Sequence, residues 1–153
     1  MVTSSTAPDS CVNSVRDVAR RFRAAFEQGS LRLHSLRNFP KGSCGDASEM
    51  LGQYLSDSGL GRWSYCFGIE PDSFATHAWV ERNRLIVDIT ADQFADISER
   101  VIVTTDRTWH DTRFPSGSSH RDANLNWFEG NDKRADALAD YETLKRRADA
   151  LRQ

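Results

Sequence analysis

Apolar residues recur at three- and four-residue steps in three stretches of the chain. Val12, Val15, Ala19, Phe22 and Phe26 do so between about Ser10 and Gln28, which predicts an amphipathic helix with one buried stripe. Gly29 is its natural stop, because glycine accepts the left-handed backbone that ends helices. A second helix is predicted from Cys44 to about Gly59, with Ala47, Met50, Leu51, Tyr54 and Leu55 on its buried side. A third, from about Asp132 to Leu151, carries Ala135, Leu138, Tyr141, Leu144, Ala148 and Leu151 on roughly one face. Its dense charge predicts a solvent-exposed terminal helix.

Short runs rich in β-branched and aromatic residues lie between the second and third helices. Trp63 to Ile69, Thr76 to Arg82, Leu85 to Thr90 and Val101 to Thr105 read as strands. Only Asn83-Arg84 separates the second run from the third, so those two form a tight hairpin. Residues 30 to 43 read as a loop broken by Pro40 and Gly42. Residues 106 to 130 show no period and carry Pro115, Gly117 and three serines. They predict a long loop whose Trp109, His110, Phe114, His120, Trp127 and Phe128 either wall a binding site or pack beneath the loop. Helix, cysteine-bearing helix, then antiparallel meander is α+β order rather than alternating α/β.

Composition narrows the class. A chain of 153 residues suits one domain able to bury a core without disulfides. That domain is read as 10–153, after a polar, Ser/Thr-rich and disordered stretch over 1–9. A net charge of -2 argues against a general nucleic-acid binder. No segment approaches the roughly 20 apolar residues of a membrane span, and the N-terminus lacks the apolar run of a signal peptide. Cys11, Cys44 and Cys66 are an odd set with no CxxC pair, and HExxH is absent. The expectation is a reducing, cytoplasmic setting, with no cofactor, no nucleic acid and no membrane partner. The oligomeric state is not legible.

Cys44 carries the candidate chemistry. It lies in Phe39-Pro40-Lys41-Gly42-Ser43-Cys44-Gly45-Asp46-Ala47-Ser48, where a Gly/Ser-rich loop becomes a helix. Free N–H groups and partial positive charge at a helix start favour a thiolate and suit an oxyanion. The small neighbours let a substrate backbone approach. The bland alternative is a buried structural cysteine. His77 follows in Ala75-Thr76-His77-Ala78-Trp79-Val80-Glu81, sharing a strand face with Trp79 and Glu81. The hairpin sets residue 77 opposite a residue near 90, which leaves Asp88 diagonally beside it; one residue of slip would reverse that face. Thiolate, imidazole and carboxylate are the parts of nucleophilic attack on a carbonyl: the imidazole moves the proton and the carboxylate fixes its tautomer. Asp92 is the rival third member, or the cap of a short helix, and Gln93 a supporting neighbour. Cys66, within a strand, reads as core.

The set Cys44-Gly45-Asp46-Ala47, His77-Ala78-Trp79-Val80-Glu81 and Val87-Asp88-Ile89-Thr90-Ala91-Asp92-Gln93-Phe94 resembles the transglutaminase-like branch of the papain-like superfamily, in particular small bacterial members. It also resembles the leader peptidases of lasso-peptide maturation. The resemblance covers roughly residues 38 to 104. It implies a cysteine-bearing helix packed on an antiparallel sheet that supplies His and Asp. It implies a Cys44–His77–Asp88 triad, an acyl-enzyme, and a peptide or protein substrate undergoing hydrolysis, deamidation or acyl transfer. Papain-type peptidases place an amide six residues before the cysteine as oxyanion donor, a position held here by Asn38. In transglutaminase-like proteins an aromatic serves instead, which points to Trp79 or Trp63. Two other classes stay open: a zinc protein using Cys44, Cys66, His77, His110 and Asp88, and a non-catalytic binding module that keeps the fold.

Overall fold

The computed structural model describes residues 9–115 and 118–153, the side chains of 118–120 excepted. The expected disordered stretch 1–9 therefore falls almost wholly outside the described residues, and its last member, Asp9, already opens a helix. Helix α1 spans Asp9–Glu27 and buries Val15, Val18, Ala19, Phe22, Ala25 and Phe26. Gly29, at φ 72°, follows it in the left-handed region. There Arg147 reaches back to donate to the Gly29 carbonyl at 2.7 Å and the Ala25 carbonyl at 3.2 Å, filling acceptors that a helix end leaves open.

Helix α2, Cys44–Asp57, buries all five side chains of its apolar stripe. Each such burial stabilises by roughly 1.5–3 kcal/mol for a large apolar side chain. The strands are β1 (Ser64–Ile69), β2 (Thr76–Arg82), β3 (Leu85–Asp88) and β4 (Ile102–Thr104). Asn83 and Arg84 have φ of 49° and 68°, so both turn residues are left-handed, as a hairpin whose turn matches the strand twist requires. The β2–β3 register is Val80 with Val87 and Glu81 with Ile86.

The 106–130 region corrects the sequence reading. It holds helix α3 (Thr108–Arg113), a fifth strand β5 (Ser118–Asp122) and a 3-10 turn at Leu125–Phe128. Strand β5 pairs antiparallel with β1, with a bulge between Tyr65 and Cys66. Among the described residues, the mixed α+β fold thus has a five-stranded antiparallel sheet in the order β4-β3-β2-β1-β5 and four α-helices.

Alternation along the strands divides the interior. Val80, Leu85 and Val87 join α1, α2 and helix α4 (Arg134–Ala150) in the main core. Cys66, Trp79 and Ile86 face the other way, against Phe114, with Phe94 and Trp109 at the margin. Helix α4 is more buried than the solvent-exposed terminal helix expected. Ala137, Asp140, Tyr141, Leu144 and Ala148 are buried, whereas Ala135 is exposed and Leu151 is 44% exposed. Its Asp140 accepts N–H bonds from Arg32 and Leu33 at 2.8–3.0 Å, fixing the loop that leads to α2. No helix among the described residues is long and apolar enough to cross a membrane.

Candidate functional site

His77 is the second residue of β2, and Asp88 ends β3. The hairpin register puts Asp88 opposite Trp79's position and diagonal to His77. Their side chains share the face that α3 covers. His77 Nε2 lies 2.7 Å from Asp88 Oδ2, and both side chains are fully buried. The Cys44 thiol is close enough to the same imidazole to raise its pKa and is partly exposed. The three residues therefore form one line from a reachable sulfur to a buried carboxylate.

The carboxylate has three donors. His110 on α3 places its own Nε2 2.8 Å from Asp88 Oδ2, and the Thr90 N–H donates to Oδ1 at 3.0 Å. An ionised carboxylate only accepts, so both imidazoles carry hydrogen on Nε2. Burial works against ionising Asp88, but the charges and hydrogen bonds of His77 and His110 overcome it and hold the group well below the usual carboxylate range. For His77, burial pulls the imidazole down, yet Asp88 and then Cys44 raise it to about 9. The charged ring is favoured beside the thiol.

Neighbouring residues hold the ring. Gln93 Nε2 sits 3.3 Å from His77 Nδ1 and donates to the Thr90 carbonyl at 3.1 Å. Phe94, Phe114, Trp79 and Trp109 surround His77 with centroids 5.1–5.9 Å away. Trp109, His110 and Phe114 of the supposed loop are thus part of the site. Phe128 packs in the main core, and the His120 side chain lies outside the described residues. Asp92 does not meet His77. It forms a two-oxygen ion pair with buried Arg23 at 2.7 and 2.9 Å, and Arg23 also donates to the Ile89 carbonyl at 2.7 Å. Asp92 therefore ties the segment after β3 to α1 and leaves Asp88 as the carboxylate on the ring.

The two tryptophans expected as oxyanion donors are otherwise engaged. Trp79 Nε1 donates to Glu81 at 3.1 Å, and Trp63 Nε1 donates to the Leu60 carbonyl at 3.1 Å. Asn38 is exposed in a turn where its carbonyl accepts from Lys41 N–H at 2.9 Å. The start of α2 is open. Ser43, its N-cap residue, makes no side-chain cap and instead donates to the Ser35 carbonyl at 2.7 Å.

Cys66 is buried in the second cluster, and Cys11 is exposed on α1. Of the five residues considered for zinc, His77, Asp88 and His110 present ligand atoms within 4.8 Å of one another. Their 2.7 and 2.8 Å contacts fit N–H···O bonds; ligands of a tetrahedral zinc at ~2.0 Å would stand about 3.3 Å apart.

Sequence reasoning set His110 beside Asp88 only as a possible fellow zinc ligand and missed the direct hydrogen bond between them. A short helix inside an aperiodic stretch offers no signal for which carboxylate its histidine meets.

No protein-family model, curated protein or solved structure matches this chain.

Proposed function

We propose that the protein is a thiol-dependent hydrolase or acyltransferase acting on an amide bond of a peptide or protein, with a transglutaminase-like or papain-like core. The observation that carries this reading is the buried His77 imidazole, 2.7 Å from Asp88, with the Cys44 thiol close enough to raise its pKa. Cys44 attacks the carbonyl as thiolate, His77 holds the thiol proton and returns it to the leaving amine, and Asp88 keeps His77 in one tautomer. His110 steadies Asp88. Water or an amine then resolves the thioester. A peptide substrate suits the neighbouring surface, where Phe67 and Ile69 of β1 are 40% and 41% exposed on the same strand face as Tyr65.

Iodoacetamide labelling followed by mass spectrometry tests the proposal. Cys44 should react at least ~10-fold faster than exposed Cys11 near neutral pH, because a neighbouring imidazole can take the thiol proton as the sulfur attacks. His77→Ala should remove that advantage. Equal, slow labelling of Cys44 and Cys11 in the unaltered protein would falsify the activated thiol.

A second reading is a zinc site on His77, Asp88 and His110, whose ligand atoms lie within 4.8 Å of one another. Stoichiometric zinc in the purified protein, lost in His110→Ala, would favour it over the first.

A further inference from the structure

A thiolate that adds to a carbonyl needs donors for the oxygen as well as a base for the proton. The tryptophan N–H groups are engaged elsewhere in the fold, and another side chain lies at the helix start. Tyr65 meets the requirement. It is half-buried on β1 beneath the first turn of α2, and its hydroxyl lies 3.5 Å from where a Cβ on Gly45 would stand. Gly45 directly follows Cys44. The missing Cβ leaves the space between that hydroxyl and the helix start clear.

The hydroxyl is unpaired, and the ring is held. No described residue hydrogen-bonds to the Tyr65 oxygen. Arg121 lies over the Tyr65 ring at 4.3 Å and over the Trp127 ring at 4.2 Å. Buried Glu49, one turn beyond Gly45, anchors that guanidinium at 2.7 Å. An aromatic ring clamped by a stacked and ion-paired arginine points its hydroxyl with little freedom. Burial, with the nearby Glu49 and Cys44 charges, pushes the phenol up to about 12, so at neutral pH it remains a donor. On the other side are the N–H groups of Cys44, Gly45 and Asp46, the first-turn donors that an α-helix cannot pair internally; Ser43 leaves them uncapped.

We propose that the Tyr65 hydroxyl is the side-chain oxyanion donor for Cys44, acting together with a first-turn N–H of α2. The assignment rests on the nucleophile reading above. As the sulfur–carbon bond forms, the carbonyl π pair moves onto oxygen, and Tyr65 donates a hydrogen bond to it without giving up its proton. The π bond then re-forms and the leaving group departs, taking a proton from His77 where its basicity requires one. Cys44 is left as the thioester.

Two reagents separate this role from nucleophile activation. p-Nitrophenyl acetate acylates a thiol through a tetrahedral oxyanion and releases nitrophenolate. Iodoacetamide alkylates it by displacement at saturated carbon, with no oxyanion. In a Cys11→Ser background, Tyr65→Phe should slow Cys44 acylation by about 10–100-fold, below or at the lower end of the ~10²–10³ reported by single-donor removals elsewhere. Its iodoacetamide rate should stay within about twofold from pH 6 to 9. Acylation within about threefold of the unaltered protein overturns the assignment, and so does an equal fall with both reagents. His77→Ala tests the underlying reading separately, since losing the base should slow both reagents whatever Tyr65 does.

Discussion

His77 and His110 share a single oxygen. Both donate Nε2–H to Asp88 Oδ2, at 2.7 and 2.8 Å, from a strand and from a helix 33 residues apart in number along the chain. Asp88 is thus held from two sides, and the imidazole facing Cys44 inherits that fixed orientation. His110 itself retains an unpartnered buried Nδ1.

Replacing His110 by phenylalanine keeps the volume and removes one of three donors to a buried carboxylate. A hydrogen bond to a charged group is worth about 1.5–3 kcal/mol, which corresponds to a Tm lowered by roughly 3–12 °C for a chain of this size. Thermal unfolding followed by circular dichroism reads the difference. No change in Tm would mean that His110 carries none of Asp88's stability.

The two aspartates after the hairpin should separate by readout. Asp88→Asn cannot keep the same charged acceptor for His77, and iodoacetamide labelling of Cys44 should fall by at least ~10-fold, given that orienting carboxylates in comparable triads contribute up to roughly 10⁴ in rate. Asp92→Asn should instead cost about 1.5–3 kcal/mol of stability through Arg23, with the labelling rate held within about threefold. The reverse pattern would make Asp92 the functional carboxylate.

Stability should fall on the alkaline side. His77 is raised from 6.5 to about 9 in the folded protein. Its contribution is complete below about pH 6.5 and is lost as pH rises towards 9. Asp88 is lowered from 3.8, so its share is present above that value and is lost in acid. Urea unfolding across pH 4 to 9.5 should show a plateau in weak acid and a decline above neutrality, and His77→Gln should flatten the decline. An identical alkaline slope in that variant would detach the effect from His77.

Gly52→Ala tests the packing that carries the site. A Cβ there would run into the carbonyl and Cβ of Ala123, on the stretch that follows β5. The backbone must shift, at a cost of about 1–3 kcal/mol or more. Gly45→Ala meets only an ordinary contact with the Tyr65 oxygen and should leave the fold near its original Tm. Equal melting temperatures for Gly52→Ala and the unaltered protein would show that α2 and this stretch do not pack as tightly as described.

Local rules made much of this fold legible. The two-residue turn at Asn83-Arg84 sets the β2–β3 register, and register decides that Asp88 faces His77. The stripe on α2 is a strong 3.6-residue signal because every member points into one core. Strand β5 was illegible for a physical reason: Ser118–Asp122 is polar, and its place comes from non-local pairing with β1 rather than an apolar period of its own. Helix α3 is too short to show periodicity and is held by aromatic packing around His77. Tyr65 reads in sequence as one more strand aromatic, because what distinguishes it is the approach of Gly45, twenty residues earlier. The charges on α4 suggested a solvated helix; Asp140 is buried because two backbone N–H groups satisfy it.

Asp140 also imposes an order in time. The bonds that pin the loop before Cys44 span 107 and 108 positions, so a ribosome has already released Cys44, His77 and Asp88 before it adds the residue that fastens the approach to them. Until then, the sulfur sits on a segment whose anchor does not yet exist. A nascent chain therefore holds Cys44, His77 and Asp88 before it holds the anchor for the loop that leads to Cys44.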